Sequence, residues 1–128
     1  MYFIYGILTN IIFLFSPLIF IFRLLIKKED INRFQEKYCI YSIENFKKTI
    51  WFHAVSVGEL MSIIPIINKL EKNKKVKKII VTSSTISSAN IFKKQKFKKT
   101  IHKFFPLDTN YLTKKFIKIW KPEVAIFV

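Results

Sequence analysis

Apolar residues run almost unbroken from Tyr2 to Ile26, with Thr9, Asn10, Ser16 and Arg23 as the polar exceptions. Roughly 20 such residues at about 1.5 Å each span the hydrocarbon core of a bilayer, so a transmembrane or membrane-anchoring helix is expected over residues 1–27. Pro17 could kink such a helix, which a bilayer tolerates. After a polar, mixed stretch the pattern changes to short apolar runs alternating with longer periodic ones. Residues 49–55 (Thr-Ile-Trp-Phe-His-Ala-Val) are β-branched and aromatic and predict a buried strand. A turn at Ser56-Val57-Gly58 leads into residues 59–72, where Leu60, Ile63, Ile64, Ile67 and Leu70 recur at helical spacing. Pro65 should kink or shorten that helix. Further strands are predicted over 78–82, 101–105 and 122–128. Helices are predicted over about 87–99 and from a cap at Asp108 or Thr109 to Trp120.

Strands of five to seven residues alternating with helices specify βαβ units and a parallel, Rossmann-like α/β sheet. The expected division is an anchor over 1–27, an amphipathic connector over 28–48, with a short helix at residues 29–34, and an α/β domain over 49–128. In such sheets ligands bind beyond the carboxyl ends of the strands, which directs attention to residues 56–59, 82–88 and 106–109. The last predicted strand reads as a buried central one with nothing after it, so a truncated domain is expected.

Charge changes this picture little. The net charge of +15 comes from 23 basic residues, of which only Arg23 and Arg33 are arginine. With so much Ile, Phe and Asn and only two glycines, this resembles the coding bias of an AT-rich genome. A basic surface still favours phosphates or an acidic membrane. The flanking charges follow the apolar segment, at Lys27 and Lys28, and no Ala-x-Ala site succeeds them, against a cleaved signal peptide. The positive-inside rule places everything after residue 27 in the cytoplasm, as a single-pass protein of a bacterial inner membrane. Cys39 is the only cysteine, so no disulfide framework or cysteine metal motif exists.

The candidate chemistry stays open at the level of single residues. Gly58, the only glycine beyond Gly6, is either an ordinary turn glycine or a position needing positive φ or close ligand approach. Glu59 is either a helix-start carboxylate favoured by the macrodipole or a general base held at a strand end. His53 suits a supporting core position better than a ligand, and no partner near it in sequence suggests a metal site. Thr82, Ser83, Ser84 and Thr85 either cap a helix or present hydroxyls and amides to an anion. The lysine clusters at 74–78 and 93–99 suit solvated faces and lack the aromatic interleaving of a nucleic-acid site.

Together, Trp51-Phe52-His53-Ala54-Val55-Ser56-Val57-Gly58-Glu59 resembles the HAVSVGE signature of the 3-deoxy-D-manno-octulosonic acid (Kdo) transferases, glycosyltransferase family 30. Arg33-Phe34, Ile80 to Thr85, Phe105-Pro106-Leu107-Asp108 and Lys121-Pro122 resemble further family segments in the same order. The resemblance implies the N-terminal half of a GT-B glycosyltransferase, whose first domain binds the lipid A precursor. The donor CMP-Kdo is bound by a C-terminal domain, and no metal or other cofactor is needed. It implies Glu59 as general base for inverting transfer to a sugar hydroxyl, with Ser56, Gly58 and Thr82 to Thr85 binding the acceptor or shaping its loop. Ser88 stands near where the family usually has glycine, and Val128 falls where it continues into a Glu-x-Glu-x-Trp-Pro-Asn-like segment. The expected partners are therefore the acceptor, the inner membrane and a separately encoded C-terminal half, with no nucleic acid and no activity alone. The alternatives are a non-catalytic, membrane-tethered basic protein that binds anionic lipid, and a decayed gene fragment.

Overall fold

A computed structural model describes residues 2–42 and 48–128; residues 43–47 of the connector lie outside it. The element order is α1 (Tyr2–Leu25), a 3-10 turn (Phe34–Tyr38), β1 (Thr49–His53), α2 (Val57–Lys72), β2 (Lys78–Ser83), α3 (Ile86–Lys94), β3 (Thr100–Phe104), α4 (Asn110–Trp120) and β4 (Pro122–Phe127). All strand pairs are parallel and the sheet order is β3-β2-β1-β4. This is the Rossmann-like α/β architecture expected from the alternation. The order reverses between β1 and β4, the switch point at which such sheets open a crevice.

Two cores form because successive side chains of a strand face opposite ways. Phe52, Ala54, Ile79 and Val81 pack on one face with Leu60, Ile63 and Ile67 of α2 and Phe92 of α3. Trp51 and Ile80 pack on the other with Leu112, Phe116 and Trp120 of α4 and Cys39 of the amino-terminal segment. Burying Phe52, Phe104 and Phe116 fully contributes about 1.5–3 kcal/mol each.

Three local expectations need correction. Pro65 does not shorten α2, which continues to Lys72; Met61 and Pro65 both face solvent, where water can take the carbonyl that proline leaves unpaired. Residues 29–34 form turns rather than a helix. There the Asp30 carboxylate accepts the Asn32 amide at 2.9 Å, an Asx turn that competes with helix, and the short helix follows at Phe34–Tyr38. The third predicted helix ends at Lys94 instead of 99. Lys96 takes a φ of 52°, Phe97 folds back on Phe92 with ring centres 5.4 Å apart, and the Glu71 carboxylate takes the Lys98 and Lys99 amides. In these 128 residues β4 lies at the edge of the sheet, with Val124, Ile126 and Phe127 open to solvent.

The opposite edge is protected. Glu36 is buried, and its carboxylate accepts from Arg33 Nε and Nη2, from Lys103 Nζ and from the amide of Phe104 in β3. A buried charge is tolerable when it is paired and hydrogen-bonded in this way. Arg33 Nη2 also donates to His102 Nδ1 at 3.1 Å, leaving the ring proton on Nε2 to donate to Ser83 Oγ at 2.7 Å.

Candidate functional site

The loop after β1 lies at the switch point, so topology separates the three candidate loops. Ser56 is the N-cap of α2 and Glu59 its third residue. The Glu59 amide donates to Ser56 Oγ at 3.3 Å. In return, Glu59 Oε2 accepts the amides of Val55 at 2.6 Å and Ser56 at 3.3 Å. This reciprocal capping box has a sequence signal, Ser-x-x-Glu, that the strand-end argument alone overlooks. The Val55 amide, and then that of Ser56, hold the Glu59 carboxyl below its ordinary pKa, so it is ionised at neutral pH. Among the described residues no hydrogen bond falls on Oε1, which leaves one carboxylate oxygen for a ligand.

Gly58 takes no positive φ, correcting one of the two reasons advanced for it. It sits in the first turn of α2, and a Cβ there would meet only Ser56 Oγ, at 4.0 Å. The surface above it is open.

His53 ends β1 and is buried. Trp51 Nε1, which can only donate, gives its proton to Thr82 Oγ1 at 2.9 Å. Thr82 Oγ1 also lies 2.9 Å from His53 Nδ1 and gives its own proton to the Phe52 carbonyl at 3.4 Å. Burial depresses the His53 pKa, against the opposing influence of Thr82 and ionised Glu59, and keeps the ring neutral. The ring stacks on Phe105 after β3, with centroids 4.1 Å apart, and meets Phe127 of β4 edge-on at 5.6 Å. His53 thus bridges the strands on both sides of the crevice.

The Thr-Ser-Ser-Thr segment divides in two. Thr82 and Ser83 are fully buried, with hydroxyls committed to His53 and His102. Ser84 and Thr85 reach the surface. Thr85 caps α3 by accepting the Ser88 amide at 3.2 Å, and the buried Ser88 hydroxyl lies 2.8 Å from Thr85 Oγ1. The Ser88 hydroxyl therefore reinforces this cap. Arg23, Lys27 and Lys28 at the end of α1 line an opening of about 300 Å³ with Thr85, Ile86 and Ser87. A second opening of about 250 Å³ lies between α1 and Tyr38, Ser84 and Leu107.

A larger cleft, about 570 Å³, runs along the β3 edge past Arg33, Glu36 and His102. Arg33, Glu36, His102 and Lys103 in its wall are already paired with one another or with the β3 backbone, and the cleft lies away from the switch point. Beyond Arg33 itself, no local pattern in the chain signals the Arg33–Glu36–His102 network. Among the described residues no cluster of three His, Cys, Asp or Glu side chains could hold a metal ion.

The profile of a family described as 3-deoxy-D-manno-octulosonic-acid transferase (kdotransferase) matches residues 32–128. The 3-deoxy-D-manno-octulosonic acid transferase of Rickettsia bellii is 38% identical over 120 residues, covering 91% of this chain and 29% of the relative. That of Rickettsia felis is 32% identical over 167 residues, covering 91% and 36%. A probable mitochondrial 3-deoxy-D-manno-octulosonic acid transferase of Arabidopsis thaliana is 33% identical over 130 residues, covering 98% and 29%. The chain thus spans roughly a third of the length of these relatives. No solved structure matches it. With the signature loop at the switch point of a parallel sheet and a family match across three quarters of its length, the chain belongs to the Kdo transferase family of glycosyltransferases.

Proposed function

We propose that this chain is the acceptor-binding part of a Kdo transferase that moves Kdo from CMP-Kdo to a sugar hydroxyl of a lipid A precursor. The observation that carries the reading is the capping box itself. It holds an ionised carboxylate rigidly at the carboxyl end of β1, with Oε1 unengaged and open surface at Gly58 beside it. Glu59 Oε1 takes the proton of the acceptor hydroxyl while that oxygen bonds to the anomeric carbon. CMP leaves from the opposite side with the electrons of the broken bond, so configuration inverts. The hydroxyl proton becomes acidic only as the new C–O bond forms, so a carboxylate of low basicity can accept it late in the step.

Ser56 and Gly58 shape the loop, and Ser84 and Thr85 meet the acceptor. Thr82, Ser83 and His53 support the surface from beneath. The basic end of α1 near Thr85 suits the phosphates of such an acceptor. The functional division is anchor 1–27, connector 28–48 and acceptor-binding domain 49–128, on the cytoplasmic side of the inner membrane. The donor belongs to the second domain of a GT-B pair, which lies outside these 128 residues, and turnover requires that domain in cis or in trans.

The test grafts residues 32–128 in place of the matching segment of the Rickettsia bellii transferase. Kdo transfer to a lipid A precursor should be retained by the chimera and should fall sharply with Glu59→Gln. A folded chimera without transfer would remove the reading.

A further inference from the structure

α1 is long and apolar enough to cross a membrane, yet five polar and aromatic contacts tie it to the turn segment that follows it and to the loop after β3. Tyr5 Oη donates to the Asp108 carboxylate at 2.7 Å. The Ser16 hydroxyl lies 2.9 Å from Tyr38 Oη, and Phe13 also meets the Tyr38 ring. Phe20 packs on Phe34 with centroids 4.9 Å apart. Arg23 Nε donates to the buried Glu29 carboxylate at 2.7 Å, which Lys37 also pairs. At about 100° per residue, Tyr5, Thr9, Ser16 and Arg23 fall within about 40° of one another around the helix. Apart from Asn10, the polar residues of the segment form one stripe, and that stripe faces the protein: Ser16 is buried, Thr9 and Arg23 are half-buried, and Tyr5 reaches Asp108 from the surface.

We propose that α1 lies in the plane of an anionic bilayer surface, held there by the domain, and does not cross it. Tyr5 and Arg23 are about 27 Å apart along the axis, close to the roughly 30 Å thickness of the hydrocarbon core. A crossing helix that kept its contacts would pull Tyr38 into the hydrocarbon and the Asp108 loop, with the domain behind it, toward the far interface, where buried charged groups are expensive. A crossing helix that released them would expose the Thr9–Ser16–Arg23 stripe to lipid and leave the buried Glu29 without its arginine. Lying flat keeps every contact.

The opposite face is built for lipid. Ile7, Leu8, Leu14, Phe15, Leu18 and Leu25 point away from the domain, with Leu14, Leu18 and Leu25 exposed to 74%, 69% and 76%. Lys27 and Lys28 follow directly, placed to meet anionic headgroups. This arrangement also lays the loops bearing Ser84 and Leu107 against the lipid surface, since both line the opening beside α1.

Single cysteines at Ile7, Leu14 and Leu25, in a Cys39→Ala background, carry nitroxides whose depth is read in phosphatidylethanolamine–phosphatidylglycerol vesicles. These positions share one face within about 20°. The in-plane helix predicts equal depth at all three. A crossing helix predicts Leu14 deepest and Leu25 about 16 Å shallower, and aqueous exposure of all three would equally overturn the proposal. As a check without core substitutions, epitopes at both ends of the unaltered chain should be digested from the same side of the membrane. Digestion from opposite sides would refute it. Neither readout depends on sugar transfer, so the two proposals stand or fall separately.

Discussion

His53 Nδ1 and Trp51 Nε1 converge on a single oxygen, Thr82 Oγ1, each at 2.9 Å. The contact joins adjacent strands beneath the signature loop, and all three side chains are buried. Thr82→Val keeps the shape but leaves both ring nitrogens without their partner. An unsatisfied buried polar group costs about 1–3 kcal/mol, so denaturant unfolding should show a loss of at least that size. Thr82→Ser, which keeps the hydroxyl, should lose less than half as much.

Two carboxylates at opposite edges of the sheet should behave very differently. Glu36 is buried among Arg33, Lys103 and the Phe104 amide, whereas Glu123 meets Lys48 at 3.8 Å with both side chains exposed. Glu36→Gln leaves two cations poorly compensated and should cost about 3–5 kcal/mol. Glu123→Gln should cost no more than about 1 kcal/mol. Chemical denaturation of the two variants side by side makes the comparison.

Stability should fall with acid well before the carboxylates titrate. Burial first, and then the charges of Arg33 and Lys103, push the His102 pKa down to about 3. The unfolded chain has an ordinary His near 6.5, so it takes up a proton that the folded chain refuses. The stabilisation is therefore complete above pH 6.5 and is lost progressively as pH falls toward 3. By pH 5 the loss should be about 2 kcal/mol, from about 1.5 units at 1.36 kcal/mol each. His53 is shifted in the same direction and adds to it. Melting curves between pH 7 and 5 should flatten in His102→Asn. An unchanged slope would mean that His102 is not held neutral.

Much of this was legible in the chain. The alternation of apolar runs specified the parallel sheet, whose central strands β1 and β2 are buried on both faces while the helices that pack on it are buried on one. Leu60, Ile63, Ile64 and Ile67 identified the buried face of α2 correctly. The strand order was less accessible, since pairing β4 with β1 rather than β3 is a tertiary choice. That choice singled out the Ser56–Glu59 loop among three candidate loops. For Gly58 the alternatives narrowed but did not close: its φ is ordinary, which removes the positive-φ reason and leaves the others standing. The Arg33–His102 contact joins residues 69 apart, and no local pattern announces it. The polar stripe of α1, by contrast, was readable from spacings of four, seven and seven between Tyr5, Thr9, Ser16 and Arg23.

The central claim is that Glu59 does more than cap a helix, and one comparison of variants separates the two roles. In the chimera carrying residues 32–128, Ser56→Ala weakens the cap and leaves the carboxylate in place. Glu59→Gln retains an acceptor oxygen for the Val55 and Ser56 amides and removes the base. Measured together, kcat for Kdo transfer should fall by about 10²–10⁴ in Glu59→Gln, with its melting temperature close to that of the parent. Ser56→Ala should lose stability and keep most of its turnover. Undiminished turnover in a folded Glu59→Gln chimera would show that the carboxylate is only a cap.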